Sequence, residues 1–152
     1  MSTMQSGVSP QLRLPGRRFG YGLAVVINVV MLIVVQNILD WGSLPFLTDE
    51  FTEVVPWISL SLVASILANL IYQFNDSPTV KSTGQILVNL ISVSVSYVVL
   101  QVFPFDFSGY GFDWAIVVRI VLILAIVGSG IGVLTETIKV ISSGPEKERR
   151  QE

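Results

Sequence analysis

Arg119 is the only charged side chain well inside an apolar run of this chain. A guanidinium keeps its charge in a protein and holds five N–H donors in a planar fork, so it can grip a phosphate or carboxylate in a bidentate contact. Arg119 stands about five residues from the Trp114 end of its run, where it can also snorkel to the interface or pair with Asp40 or Asp106. Gln36, Asn37 and Gln101 fall at the same height, with Asp40 just above them. These residues form a candidate contact set for an anion, a lipid or an acidic residue of a partner.

A second set, Asn28, Asn69, Asn89 and Ser129, puts one uncharged polar group on each of four apolar runs. Registered at a 1.5 Å rise per residue, all four lie roughly 7 to 12 Å from one edge of the bilayer. Amides and hydroxyls donate and accept hydrogen bonds but do not titrate. Such a layer can staple a bundle, or it can line a route for a polar solute.

Acid–base, thiol and redox chemistry find little to work with. The chain has no His and no Cys, which removes an imidazole base, a thiolate nucleophile, a disulfide and His- or Cys-ligated metal or haem. No carboxylate lies in the apolar part of any run, so a serine there has no base to activate it. Asp49, Glu50 and Glu53 lack the alternating spacing of a calcium loop. The sequence therefore predicts a protein that is not an enzyme and carries no cofactor and no metal. A net charge of -2 and the absence of a long basic patch with interleaved aromatics set nucleic acid aside as a partner.

The elements that must hold these side chains are apolar and long. Of 152 residues, 51% are hydrophobic and 13% charged, half the charged share of about 25% usual in soluble domains. The apolar residues gather into four runs of bilayer-spanning length, about 21–39, 54–74, 85–103 and 114–134, the last expected to continue as helix through Thr135, Glu136 and Lys139 toward Ile141. The first is too long for a cleavable signal and is followed by Asp40 and Trp41, so it reads as an uncleaved span. Asn75-Asp76-Ser77-Pro78 and Ser108-Gly109-Tyr110-Gly111 supply turns between runs. The expected fold is all-α, a polytopic integral membrane protein whose four transmembrane helices form an up-down bundle over residues 17–141. Residues 1–16 read as a disordered tail and 142–152 as a charged tail.

Polar stripes tell which faces should avoid lipid. Ser61, Ser65, Asn69 and Gln73 follow an i+4 ladder, and Gln85, Asn89, Ser92 and Ser96 share a face of the third run. Gly128 and Gly132 form a GxxxG pair that can seat a neighbouring helix. Small residues allow close approach, and interhelical hydrogen bonds are each worth roughly 1 kcal/mol in a bilayer.

Orientation follows from charge. Arg13, Arg17, Arg18, Lys81, Lys139, Lys147, Arg149 and Arg150 all flank one side of the four runs, while the first and third loops hold acids and no Lys or Arg. An excess of basic residues marks the cytoplasmic side, which predicts both termini in the cytoplasm of a bacterial-type plasma membrane. Trp41, Trp57 and Trp114 then form an outer aromatic belt.

Two functional expectations follow. The first is an accessory subunit or oligomeric scaffold that meets the lipid bilayer and either a membrane protein partner or its own copies. The second is a small transporter or lipid or anion translocator using the Asn and Ser layer and Arg119. The first span lacks the embedded Glu of small multidrug transporters, and the chain lacks the Cys pairs of quinone-reducing thiol enzymes. No motif residue matches the polyprenyl-phosphate sugar translocators that share the four-span plan.

Overall fold

The computed structural model describes residues 16–42 and 44–148, with side-chain surroundings for 19–42 and 44–142. Four helices follow one another: α1 (Gly16–Asn37), α2 (Phe51–Phe74), α3 (Pro78–Val102) and α4 (Trp114–Glu148). All four are long and apolar enough to cross a membrane. In hydrocarbon a helix is favoured because it satisfies its own backbone N–H and C=O groups.

The helix boundaries differ from the apolar runs for identifiable reasons. α3 begins at Pro78 rather than near Gln85, because Ser77 caps it by accepting from the Val80 N–H and proline occupies the first turn. Its first two turns are polar and yet helical. α4 continues to Glu148, well past Leu134; Thr135 and Thr137 bond back to the Ile131 and Val133 carbonyls, and Lys139 pairs with Glu136. Much of the segment read as a charged tail is therefore helical, and that tail's last residues, like residues 1–15, lie outside the described ones. α2 starts at Phe51, which leaves Pro56 inside the helix and removes one backbone bond near its start.

Consecutive helices run antiparallel. Tyr21, early in α1, meets Tyr72, late in α2, and Ser82, early in α3, meets Glu136, late in α4. α1 packs on α2, α2 on α3 and α3 on α4, but among the described residues α1 and α4 do not pack side by side. The described helices thus alternate in direction along the chain. The bundle is an open row rather than a closed ring.

The apolar core sits toward the end that carries the α1–α2 and α3–α4 loops. Val35, Phe51, Val54, Val95 and Val99 form it, and Val54 is fully buried. The two loops cap this end together: Leu47 bridges Phe105, the Thr48 N–H donates to the Pro104 carbonyl at 3.2 Å, and the Asp106 N–H to the Phe46 carbonyl at 2.8 Å. Phe46, Phe107 and Tyr110 stack against one another above them. The α1–α2 loop is thus folded onto its neighbour rather than forming a separate interfacial helix. Most other large apolar side chains, among them Leu124 and Leu134, face outward, as expected where lipid is the solvent.

Candidate functional site

At the opposite end, beside the α2–α3 connection, polar side chains from all four helices converge on a pocket of about 580 Å³. That volume falls inside the roughly 300–1,000 Å³ of small-molecule sites.

Two aromatic residues form part of its wall. The Tyr21 and Tyr72 rings meet edge to face with centroids 5.8 Å apart. Tyr72 can lie there because residue 84 is glycine: a Cβ on Gly84 would collide with the Tyr72 hydroxyl and stand 3.0 Å from two ring carbons. The Tyr72 Oη donates to the Lys81 carbonyl at 3.2 Å, and the Tyr21 Oη donates to Asp76 at 3.0 Å. The Lys81 ammonium lies 2.5 Å from the Asp76 carboxylate and 5.0 Å from the Tyr21 ring centroid. Across the pocket, Ser82 Oγ donates to Glu136 at 2.7 Å, which ties α3 to α4, and Lys139 Nζ donates to the other Glu136 oxygen at 2.6 Å.

The predicted polar layer divides in two. Asn28 and Asn69 line the pocket, together with Ser65. Asn89 instead packs over Gly132, 2.5 Å from where a Cβ would sit, and accepts a long 3.4 Å bond from Gln85. Ser129 lies half-buried on α4 outside the pocket lining. Nor do these groups staple the helices to one another. Asn28 donates to the Ala24 carbonyl, Asn69 to Ser65 and Ser92 to Val88, each one turn back on its own helix. Such back-bonding satisfies a donor in an apolar medium without a partner helix. Ser61 and Ser96 are half-buried and make no side-chain hydrogen bond among the described residues.

The glycine pair divides likewise. Gly132 gives Asn89 its seat, whereas nothing stands within 4 Å of a Cβ on Gly128, which faces outward. The GxxxG pair is not one packing face within the chain.

The contact set around Arg119 is not assembled. Arg119 forms no ion pair with Asp40 or Asp106; its guanidinium lies over the Phe103 ring, 4.1 Å from the centroid. The Asp106 carboxylate accepts from the Ser108 N–H at 2.9 Å, which holds its carboxyl below the usual carboxylate range. Asn37 donates to the Ile33 carbonyl, and the exposed Gln36, Gln101 and Asp40 make no side-chain hydrogen bond among the described residues. Gln36 and Asn37 stand on α1, which does not pack against the α4 helix that carries Arg119.

Sequence reasoning missed Tyr21, Tyr72, Lys81, Ser82, Glu136 and Lys139 as one site. Each lies at or beyond the end of an apolar run and reads as interfacial. The available signal was Glu136, an acid three residues before Lys139 on a helix expected to continue past its apolar run. Among the described residues no group of three His, Cys, Asp or Glu side chains is placed to hold a metal. Comparison of the chain with family models, with curated proteins and with solved structures finds no match.

Proposed function

We propose that this chain is a non-enzymatic multi-pass subunit of a membrane assembly, completed by a partner protein or by further copies of itself. The observation that carries this reading is Arg119. It is exposed, lies five residues into α4, and has no carboxylate beside it among the described residues. A charge at this depth is costly without a counter-charge, and the Phe103 ring covers one face of the guanidinium while leaving its N–H edge available. An acidic residue of a partner subunit is the group that edge fits. The open row supports the same reading, since α1 and α4 each pack against one neighbour within the chain. The basic flanks favour a bacterial-type plasma membrane with both termini in the cytoplasm, which puts the pocket in the inner leaflet.

The test is the Arg119→Ala variant run on native gels and by native mass spectrometry after mild extraction. Loss of a defined complex is expected; an unchanged complex would remove Arg119 from the interface. One observation favours translocation of a lipid or anion as the second reading, namely the polar pocket containing Asn28 and Asn69. That reading predicts that Asn69→Leu abolishes flux in reconstituted vesicles while the fold persists. The apolar core of Val35, Phe51, Val54, Val95 and Val99 fills the space between helices toward the far end, which favours the first reading.

A further inference from the structure

The pocket between Tyr21 and Lys139 is at the other end of the helices from Arg119, and the assembly reading does not use it. From its charge pattern we infer that it is a binding site for the headgroup of a zwitterionic phospholipid, a phosphodiester joined to a primary ammonium.

Its depth fits a lipid headgroup. Tyr21 and Asn28 line its two levels seven residues apart on α1, about 10 Å at a rise of 1.5 Å per residue. The pocket thus reaches from the helix ends, where the headgroups lie, to the first apolar turns.

Its charges are balanced. Lys81 and Lys139 line the pocket, and each is held by a carboxylate, Asp76 for the first and Glu136 for the second. A simple anion attracted to Lys139 meets the Glu136 carboxylate beside it, and a simple cation attracted to Glu136 meets the Lys139 ammonium. A group carrying both charges suits both: its phosphodiester oxygens accept from the lysines, and its ammonium donates to Glu136. Glu136 and the lysines then each keep an opposite charge beside them, and Asp76 keeps the Tyr21 hydroxyl.

The neutral wall separates a primary ammonium from a quaternary one. Asn28 and Asn69 each spend an amide N–H on their own helix and keep a carbonyl oxygen to accept with, and Ser65 and Gln85 add further polar atoms. A primary ammonium has three N–H donors to place on such acceptors, whereas a quaternary ammonium has none and relies on aromatic faces. The Tyr21 ring already carries the Lys81 ammonium.

The experiment uses the full chain reconstituted into bilayers of equal parts ethanolamine, choline and glycerol phospholipids with identical acyl chains, released stepwise and weighed by native mass spectrometry. The tightest one-lipid adduct is expected to be the ethanolamine phospholipid, enriched about tenfold over the choline lipid, the weight of one hydrogen bond to a charged group. Glu136→Gln should remove most of that enrichment, Lys139→Gln should weaken retention of all three lipids alike, and Arg119→Gln should leave both in place. Retained lipid matching the bulk mixture, or preferential retention of the anionic glycerol lipid, would overturn the proposal. The wild-type measurement alone can do so, whatever the variants' folding. Soluble glycerophosphoethanolamine bound as tightly as the lipid would overturn a bilayer lipid as the occupant.

Discussion

Replacing Gly84 by alanine tests the pocket wall most sharply, because two opposed effects have known signs. In a helix interior alanine is favoured over glycine by about 0.8–1.0 kcal/mol. At Gly84 the added methyl occupies space held by the Tyr72 hydroxyl and ring edge. Tyr72 is buried, so it must give up its 3.2 Å bond to the Lys81 carbonyl and its edge contact with Tyr21. The hydrogen bond is worth about 0.5–1.5 kcal/mol and the ring pair about 0.5–1.5 kcal/mol, and forced repacking adds about 1–3 kcal/mol. The net expectation is destabilisation by about 1–5 kcal/mol once the helix gain is subtracted. Reversible unfolding in mixed micelles, followed by tryptophan fluorescence, measures it. In a Tyr72→Ala background the same substitution should change sign and stabilise by up to about 1 kcal/mol. Gly84→Ala that stabilises the otherwise unaltered chain would refute the packing argument.

Three further outcomes follow from other parts of the fold. The Ser59 hydroxyl is buried without a hydrogen-bond partner among the described residues, so Ser59→Ala should raise the unfolding free energy by about 1 kcal/mol; a loss of that size would mean the hydroxyl is satisfied. Arg119→Gln should lower intrinsic stability by about 0.5–1 kcal/mol, the weight of an exposed cation–π contact, with the effect fading in a Phe103→Leu background and persisting in Asp40→Asn. If Asp40→Asn erased it, the guanidinium would be an ion-pair partner instead. The Asp106 carboxyl is held below its ordinary range by the Ser108 N–H, so its contribution is complete above the unfolded value and is lost as pH falls through the lower folded value. Asp106→Asn should flatten that acid limb, and an unaltered acid limb would exclude Asp106 as its source.

The four spans were legible because apolar run length alone marks a helix that can cross a bilayer, and the antiparallel order follows from short connections. What the runs conceal is where a helix continues through polar residues. α3 starts at Pro78 because a serine cap and a proline set its start, and α4 outlasts its apolar run because Thr135, Thr137 and the Glu136–Lys139 pair satisfy themselves along the helix. The hidden turns of α3 carry Lys81 and Ser82, and without them Glu136 and Lys139 on the foreseen extension of α4 had no visible neighbours, which is why the pocket escaped notice. Asn28 and Asn69 were placed at the right depth, but depth does not tell which neighbour a side chain meets. Asn89 had an equal claim on the layer and lies against Gly132 instead. The pairing proposed for Arg119 is not formed because the Phe103 ring takes the guanidinium and the Ser108 N–H takes the Asp106 carboxylate, while α1, with Gln36 and Asn37, does not pack against α4.

The central claim is that this open row is completed by another subunit. Native mass spectrometry of the C-terminally tagged chain, extracted in native nanodiscs without detergent, tests it most directly. A defined stoichiometry with a second copy or a distinct protein, lost in Arg119→Ala, is the predicted result. A lone folded chain, unchanged by Arg119→Ala, would contradict it.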